Sequence, residues 1–161
     1  MKPLNYTLLL ILLLSIAGCS NPTGTAELLN KQASFPPSFD LNKLGLKVIT
    51  SSINKKQATM STLYGNATAL QAATAGADTK PVPGEIFALV TWKQKPDEHW
   101  FGANIPGELQ SVAMLKTQSK AGATTLNYQK YCGKSLTLSA DTSGNEAGIQ
   151  LILKERASVM P

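Results

Sequence analysis

The single histidine of the chain, His99, follows two carboxylates in the run Asp97-Glu98-His99. An imidazole beside carboxylates can bind a metal or haem iron, or can move a proton near neutral pH. Consecutive carboxylates in an extended segment diverge, however, and do not flank a reacting bond. Three interpretations of His99 therefore stay open: a loop residue that orders a turn, a ligand in a pocket, or a catalytic group.

Three large aromatic residues, Trp92, Trp100 and Phe101, lie close to His99 in the sequence. Aromatic side chains often line pockets for planar ligands, and they are also ordinary core residues. With His99 they form the candidate ligand pocket. No catalytic residue is predicted, because no serine lies in a G-x-S-x-G elbow and no glycine-rich phosphate loop joins a strand to a helix.

The two cysteines are too few for a disulfide framework. Cys132 has no evident catalytic neighbour. It is interpreted as a small buried apolar residue, with two alternatives: a ligand or redox thiol, or a thiol that pairs with another molecule in an oxidising compartment.

Cys19 has a more specific context, because it ends the run Leu-Leu-Leu-Ser-Ile-Ala-Gly-Cys at residues 12–19. Lys2 supplies a positive n-region, residues 8–14 form an apolar h-region, and small residues precede the cysteine. This pattern is typical of the lipobox of bacterial lipoprotein signal peptides. We therefore expect residues 1–18 to be removed and Cys19 to be acylated.

The residue after the lipobox cysteine is Ser20 and not the aspartate that favours retention in the inner membrane of enterobacteria. The sequence therefore predicts a lipid-anchored protein of the bacterial envelope, in the periplasmic leaflet of the outer membrane. Acyl chains would hold such a protein firmly, since each buried methylene contributes about 0.8 kcal/mol.

The net charge of +5 comes from 15 basic and 10 acidic residues spread along the chain. Arg156 is the one arginine, whereas nucleic-acid readers usually rely on several. Nucleic-acid binding is not expected. A mildly basic face near an anionic membrane is the plainer interpretation.

Composition divides the rest of the chain into two parts. Residues 19–38 are rich in Asn, Ser, Thr and Pro, which predicts a flexible tether. Residues 39–161 are expected to form one domain, a length that can bury a single core without metal or disulfide support.

Within this domain, apolar alternation predicts a β-hairpin over residues 46–50 and 59–64. Asn66 can cap a short alanine-rich helix, residues 67–75, which Gly76 would end. Further strands are predicted at residues 85–94, 109–117 and 124–131, the first of them central in the sheet.

The segment 146–158 fits either a strand or a helix; we favour a helix capped by Asp141 or Ser143. The expected fold is α+β: one domain with an antiparallel β-sheet and helices packed on one face.

Three blocks of the domain resemble the cytochrome P-460 family, whose fold is shared with cytochromes c-prime-beta. They are Leu63-Tyr64-Gly65-Asn66 with the helix that follows, the run from Pro83 to Trp92, and the run from Trp100 to Gly107 with the next strand. The resemblance covers roughly residues 45–131. It implies an antiparallel, homodimer-prone domain that encloses a ligand pocket.

Haem-bearing members of that family attach haem c through a C-x-x-C-H motif near the C-terminus and act on hydroxylamine or bind nitric oxide. Here Cys132 has no second cysteine or histidine after it. The family's catalytic chemistry therefore cannot be transferred.

We expect a binding or envelope-associated module and not an enzyme, attached to the membrane through Cys19, with an unknown envelope protein or a second copy as partner. No cofactor is predicted. The alternative function is a redox or nitric-oxide-binding protein that holds haem non-covalently through His99.

Overall fold

The computed structural model describes residues 29–76 and 79–158. The predicted signal peptide, Cys19 and the first part of the predicted tether lie outside these residues. The chain divides into two units, Met1–Asn30 and Lys31–Pro161. Every helix and strand described here belongs to the second unit.

The second unit is built on a six-stranded antiparallel sheet in which the strands follow one another in chain order. The strands are β1 (Lys47–Asn54), β2 (Thr59–Gly65), β3 (Ile86–Pro96), β4 (Asn104–Lys120), β5 (Ala123–Cys132) and β6 (Thr137–Leu138). Two α-helices, α1 (Ala67–Ala75) and α2 (Asn145–Lys154), and a 3-10 turn at Asn42–Leu44 complete the described elements. The predicted α+β fold is confirmed.

Strand β3 is central, as its apolar sequence predicts. It pairs with β2 on one side and with β4 on the other. Alternate residues of β3 point to opposite faces, and both faces are covered: Phe87 packs into one apolar cluster, and Ala88 and Val90 pack into another.

Both α-helices pack on the Phe87 face of the sheet. Helix α1 contributes Ala69 and Ala73 to this cluster, and α2 contributes Ile152. Helix α1 has the predicted bounds because its end signals are local: the Asn66 side chain accepts a hydrogen bond from the Ala69 amide, and Gly76 follows the last turn.

The C-terminal helix α2 is present, but the predicted cap is wrong. Gly144 occupies the N-cap position without a side-chain hydrogen bond. Asp141 instead accepts a hydrogen bond from the Ser143 amide at 2.9 Å. In this Asx turn the Asp141 carboxylate binds a backbone amide that precedes the helix. Asp141 and Ser143 therefore both lie before the N-cap residue, and neither side chain caps the helix.

The opposite face of the sheet carries the N-terminal strap, defined as residues 32–41. Phe35 and Phe39 stack 5.5 Å apart between ring centroids, and the Phe35 ring lies 6.3 Å from that of Trp92. Leu41 is buried in the same cluster. The last part of the segment predicted as a tether therefore packs against the sheet.

The two α-helices of residues 29–76 and 79–158 are nine and ten residues long, and neither has the length and apolar content to cross a membrane.

Candidate functional site

Three turns of the sheet meet at one end because neighbouring strands are antiparallel. The β1–β2 turn, the β3–β4 hairpin tip and the β5–β6 turn all lie there. The Gln94 amide donates to the Ala58 carbonyl at 2.8 Å, which joins the first turn to β3. This end therefore carries side chains that are far apart in the sequence.

The hairpin tip, residues 97–103, is held by its own hydrogen bonds. The Asp97 amide donates to the Ala103 carbonyl at 2.9 Å, and the Ala103 amide donates to the Trp100 carbonyl at 3.0 Å. Asp97 Oδ1 accepts from the His99 amide at 2.8 Å, and Gly102 takes a positive φ of 79° that favours glycine. The tip has a defined backbone.

This tip presents two large apolar side chains to solvent. Trp100 is 71% exposed and Phe101 is fully exposed. Trp92, by contrast, is only 7% exposed in the core. Exposed aromatic residues held side by side on an ordered turn are typical of contact surfaces.

A lysine-lined groove of about 400 Å³ lies below the tip. Gly107 forms part of its floor, where a β-carbon would approach the Lys93 carbonyl to 3.0 Å. Lys95 pairs with Glu98 at 2.9 Å, and this contact lowers the pKa of the Glu98 carboxyl below its ordinary value through a hydrogen bond and the lysine charge. The groove is lined by Gln32, Lys93, Gln94, Lys95, Gly107, Glu108 and Lys134.

We call this end of the molecule the basic–aromatic surface. It consists of Lys55, Lys56, Lys93, Lys95, Trp100, Phe101 and Lys134. The lysines were not predicted as site residues. Their common location follows from the strand order and is not visible in any single stretch of sequence.

The N-terminal strap begins at this same end. The Leu109 amide donates to the Gln32 carbonyl at 3.3 Å, and Gln32 also lines the groove. The chain therefore enters the folded unit beside Lys93 and Lys134.

The four residues of the predicted ligand pocket lie in two environments. His99, Trp100 and Phe101 are together at the exposed tip, while Trp92 packs against the strap. Residues 98–104 are all exposed, so this loop encloses no apolar cavity around the imidazole.

The residues do not fit the family's haem. Covalent attachment requires two thiols and a histidine, whereas Cys132 is the one cysteine of the domain. It is half-buried on β5, and His99 lies on the hairpin tip between β3 and β4. Within the described ranges, no three His, Cys, Asp or Glu side chains group as a metal site would need.

A second candidate, at the opposite end of the sheet, is the carboxylate of Glu85. This residue is 1% exposed, and neither carboxylate oxygen has a hydrogen-bond partner. Burial raises the pKa of Glu85, and the nearby Val82 amide partly opposes that rise. The carboxylate borders a cleft with room for about one water molecule, between the C-terminal ends of the two helices and near Glu155.

The backbone around Glu85 is fixed by Thr117. Its hydroxyl accepts from the Glu85 amide at 2.8 Å and donates to the Val82 carbonyl at 2.5 Å. The cleft is too small for an organic substrate, so we expect the Glu85 carboxylate to affect stability and not to bind a ligand.

Comparison of the chain with protein-family models and with curated proteins found no match.

Proposed function

We propose that this chain is a bacterial lipoprotein, held by acyl groups on Cys19 in the periplasmic leaflet of the outer membrane, whose folded unit is a binding module. The lipobox at residues 12–19, the charged Lys2 and the apolar h-region support the anchor. Ser20 supports the outer membrane as its destination.

The observation that carries the binding role is the basic–aromatic surface. Trp100 and Phe101 are presented on a hydrogen-bonded tip beside a groove lined by Lys93, Lys95 and Lys134. An ordered exposed aromatic pair supports contact with another surface. The groove and the tip are open to solvent, and their aromatic and lysine side chains support a binding role.

The likeness to the cytochrome P-460 family remains part of the proposal. Its three sequence blocks fall on β2 with α1, on β3, and on the hairpin tip with β4. These are contiguous elements of one antiparallel sheet, which supports a shared architecture. The proposed relative is a form without haem c, since the attachment residues are missing from residues 39–161.

Substitution of Cys19 by alanine tests the anchor. We expect Cys19→Ala to abolish acylation and to leave unprocessed precursor in the cell. Cys132→Ala is the matched control, because it removes the other cysteine and should leave processing unchanged. Normal processing and membrane recovery of Cys19→Ala would refute the anchor.

A haem titration tests the proposed binding role against the alternative function. We expect no saturable change in the Soret absorbance of the chain from Ser20 onward. A saturable Soret shift that disappears in His99→Ala would instead favour a haem protein. If haem binds at His99, an envelope protein or a second copy would have to bind at a surface other than the hairpin tip.

A further inference from the structure

We propose that the basic–aromatic surface binds the anionic headgroup region of a phospholipid bilayer, with Trp100 and Phe101 inserted at the interface. The inference rests on the proposed lipid anchor for its biological setting, and it names the partner of the surface described above. Its physical basis lies in the side chains, their charge and the point of chain entry.

The hairpin tip carries the two aromatic side chains that would enter the bilayer interface. Transfer of the apolar surface of tryptophan and phenylalanine from water into a bilayer interface is favourable. Tryptophan in particular is enriched at the level of the headgroups. Trp100 and Phe101 are adjacent and exposed. The hydrogen bonds of residues 97–103 already fix the backbone that presents them, so insertion requires little further ordering.

The charge beside the tip is positive in balance. Lys93, Lys95 and Lys134 line the groove below the tip together with Glu108, and Lys55 and Lys56 are exposed in the neighbouring β1–β2 turn. These five lysines outnumber the three carboxylates of Asp97, Glu98 and Glu108 by two. A lysine near an anionic leaflet is attracted to its phosphates. These side chains flank the inserting tip, so both contacts can form at once.

The chain enters the fold at the same end as the basic–aromatic surface. Gln32 lies in the lysine-lined groove, so a lipid on Cys19 is joined to the molecule at this end. Residues 20–30 can span at most about 40 Å even when fully extended. A short connection of this kind gives the surface an effective concentration at the membrane of the order of mM, and weak intrinsic affinity is then sufficient.

A partner protein is a poorer fit to the tip. Stable protein interfaces bury about 800 Å² on each partner, whereas an aromatic side chain buries about 150–250 Å². The tip offers two such side chains next to an open, charged groove. A bilayer surface can take up the two aromatic side chains and offers several phosphates to the lysines. It therefore matches the basic–aromatic surface better than a rigid protein partner does.

Flotation with vesicles tests this proposal without the lipid anchor. The chain from Ser20 to Pro161 keeps every described helix and strand, since these all lie in the compact unit that begins at Lys31. We expect it to float with vesicles of phosphatidylethanolamine and phosphatidylglycerol, and to float less with phosphatidylcholine alone. Added salt should weaken the binding.

Matched variants locate the contact. We expect Trp100→Ser with Phe101→Ser to lower vesicle affinity by about tenfold. Leu151→Ser, which changes an exposed apolar residue of α2, should leave the affinity unchanged. Lys55→Gln with Lys56→Gln should also lower it by about tenfold, and Lys116→Gln with Lys120→Gln on β4 should have a smaller effect.

Absence of flotation with the anionic vesicles would overturn the proposal, as would affinity that the tip variant does not change. Equal binding to phosphatidylcholine would overturn the role of the lysines. None of these results depends on Cys19, so failure here is distinct from failure of the lipid anchor, which the Cys19→Ala experiment measures.

Discussion

The indole Nε1–H of Trp92 donates a hydrogen bond to the carbonyl oxygen of Ala33 at 2.9 Å. This bond joins the central strand to the N-terminal strap, 59 residues away in the sequence. It places the start of the strap beside the lysine-lined groove, and it links the core to the surface that we propose binds the membrane.

Substitution of Trp92 by phenylalanine should loosen the strap. The variant lacks the indole donor, so we expect the free energy of unfolding to fall by about 1–2 kcal/mol. The Leu109 amide, which donates to Gln32, should exchange its hydrogen faster. Urea unfolding and hydrogen exchange measure these effects, and Trp100→Phe is the control because that indole is exposed. Equal stability of the two variants would contradict the assigned role.

Asn66 should contribute strongly to stability, because its side chain joins α1 to β3. Its Oδ1 accepts from the amides of Ala69 and Ile86 at 3.0 and 3.2 Å, and its Nδ2 donates to the Gly84 carbonyl at 2.8 Å. We expect Asn66→Ala to cost about 1–2 kcal/mol. Asn66→Ser, which keeps an N-cap acceptor and places no second oxygen against the Gly84 carbonyl, should cost less in the same urea titration. A larger loss in the serine variant than in the alanine variant would argue against the cap.

Gly148 lies where α2 crosses Tyr128 of β5. A β-carbon at this position would overlap the tyrosine hydroxyl and approach its Cζ to 2.8 Å. We therefore expect Gly148→Ala to destabilise the protein by about 1–3 kcal/mol, although alanine is the better helix former. Thermal unfolding in a Tyr128→Phe background provides the control, since removal of the hydroxyl should reduce the penalty. Stabilisation by Gly148→Ala alone would contradict this packing.

Glu85 should make stability depend on pH. Because burial raises its pKa in the folded state, the folded protein holds this proton more tightly than the unfolded chain. Its contribution therefore becomes less favourable as pH rises above the ordinary glutamate pKa of about 4.3 and through the raised value. Glu85→Gln should increase stability at neutral pH by about 1 kcal/mol, with little change below the ordinary pKa.

Urea unfolding at an acidic and a neutral pH measures this difference. Glu108→Gln is the control, because Glu108 is exposed and its substitution leaves the cleft around Glu85 unchanged. A neutral-pH loss of stability in Glu85→Gln would mean that the carboxylate is compensated in the folded state.

Local signals explain which elements were predictable from sequence. Helix α1 has an asparagine cap and a glycine end, and its predicted bounds are confirmed. The predicted hairpin of β1 and β2 is confirmed as well, because a polar turn separates two β-type runs. Strand β4 begins at Asn104 and not near residue 109. Residues 104–106 are extended because they pair with residues 94–96 of β3, and their own sequence does not show this pairing.

Other features depend on tertiary contacts that no short run of sequence contains. Trp92 and Trp100 are the same residue type eight positions apart, yet one is buried and the other exposed. The strap is polar and proline-rich, and its two phenylalanines pack because Val90 and Trp92 of β3 belong to the cluster beside them. The lysine-lined groove is formed by residues of β3, β4 and the β5–β6 turn, which are far apart in the sequence.

The most direct test of the account is quenching of tryptophan fluorescence by brominated phospholipids in anionic vesicles. The chain has two tryptophans, with Trp92 in the core and Trp100 on the tip. We expect the chain from Ser20 onward to be quenched on binding, and Trp100→Phe, which still binds through its aromatic tip, to lose that quenching. Unquenched emission from the bound unsubstituted chain, or equal quenching in Trp100→Phe, would contradict insertion of the hairpin tip.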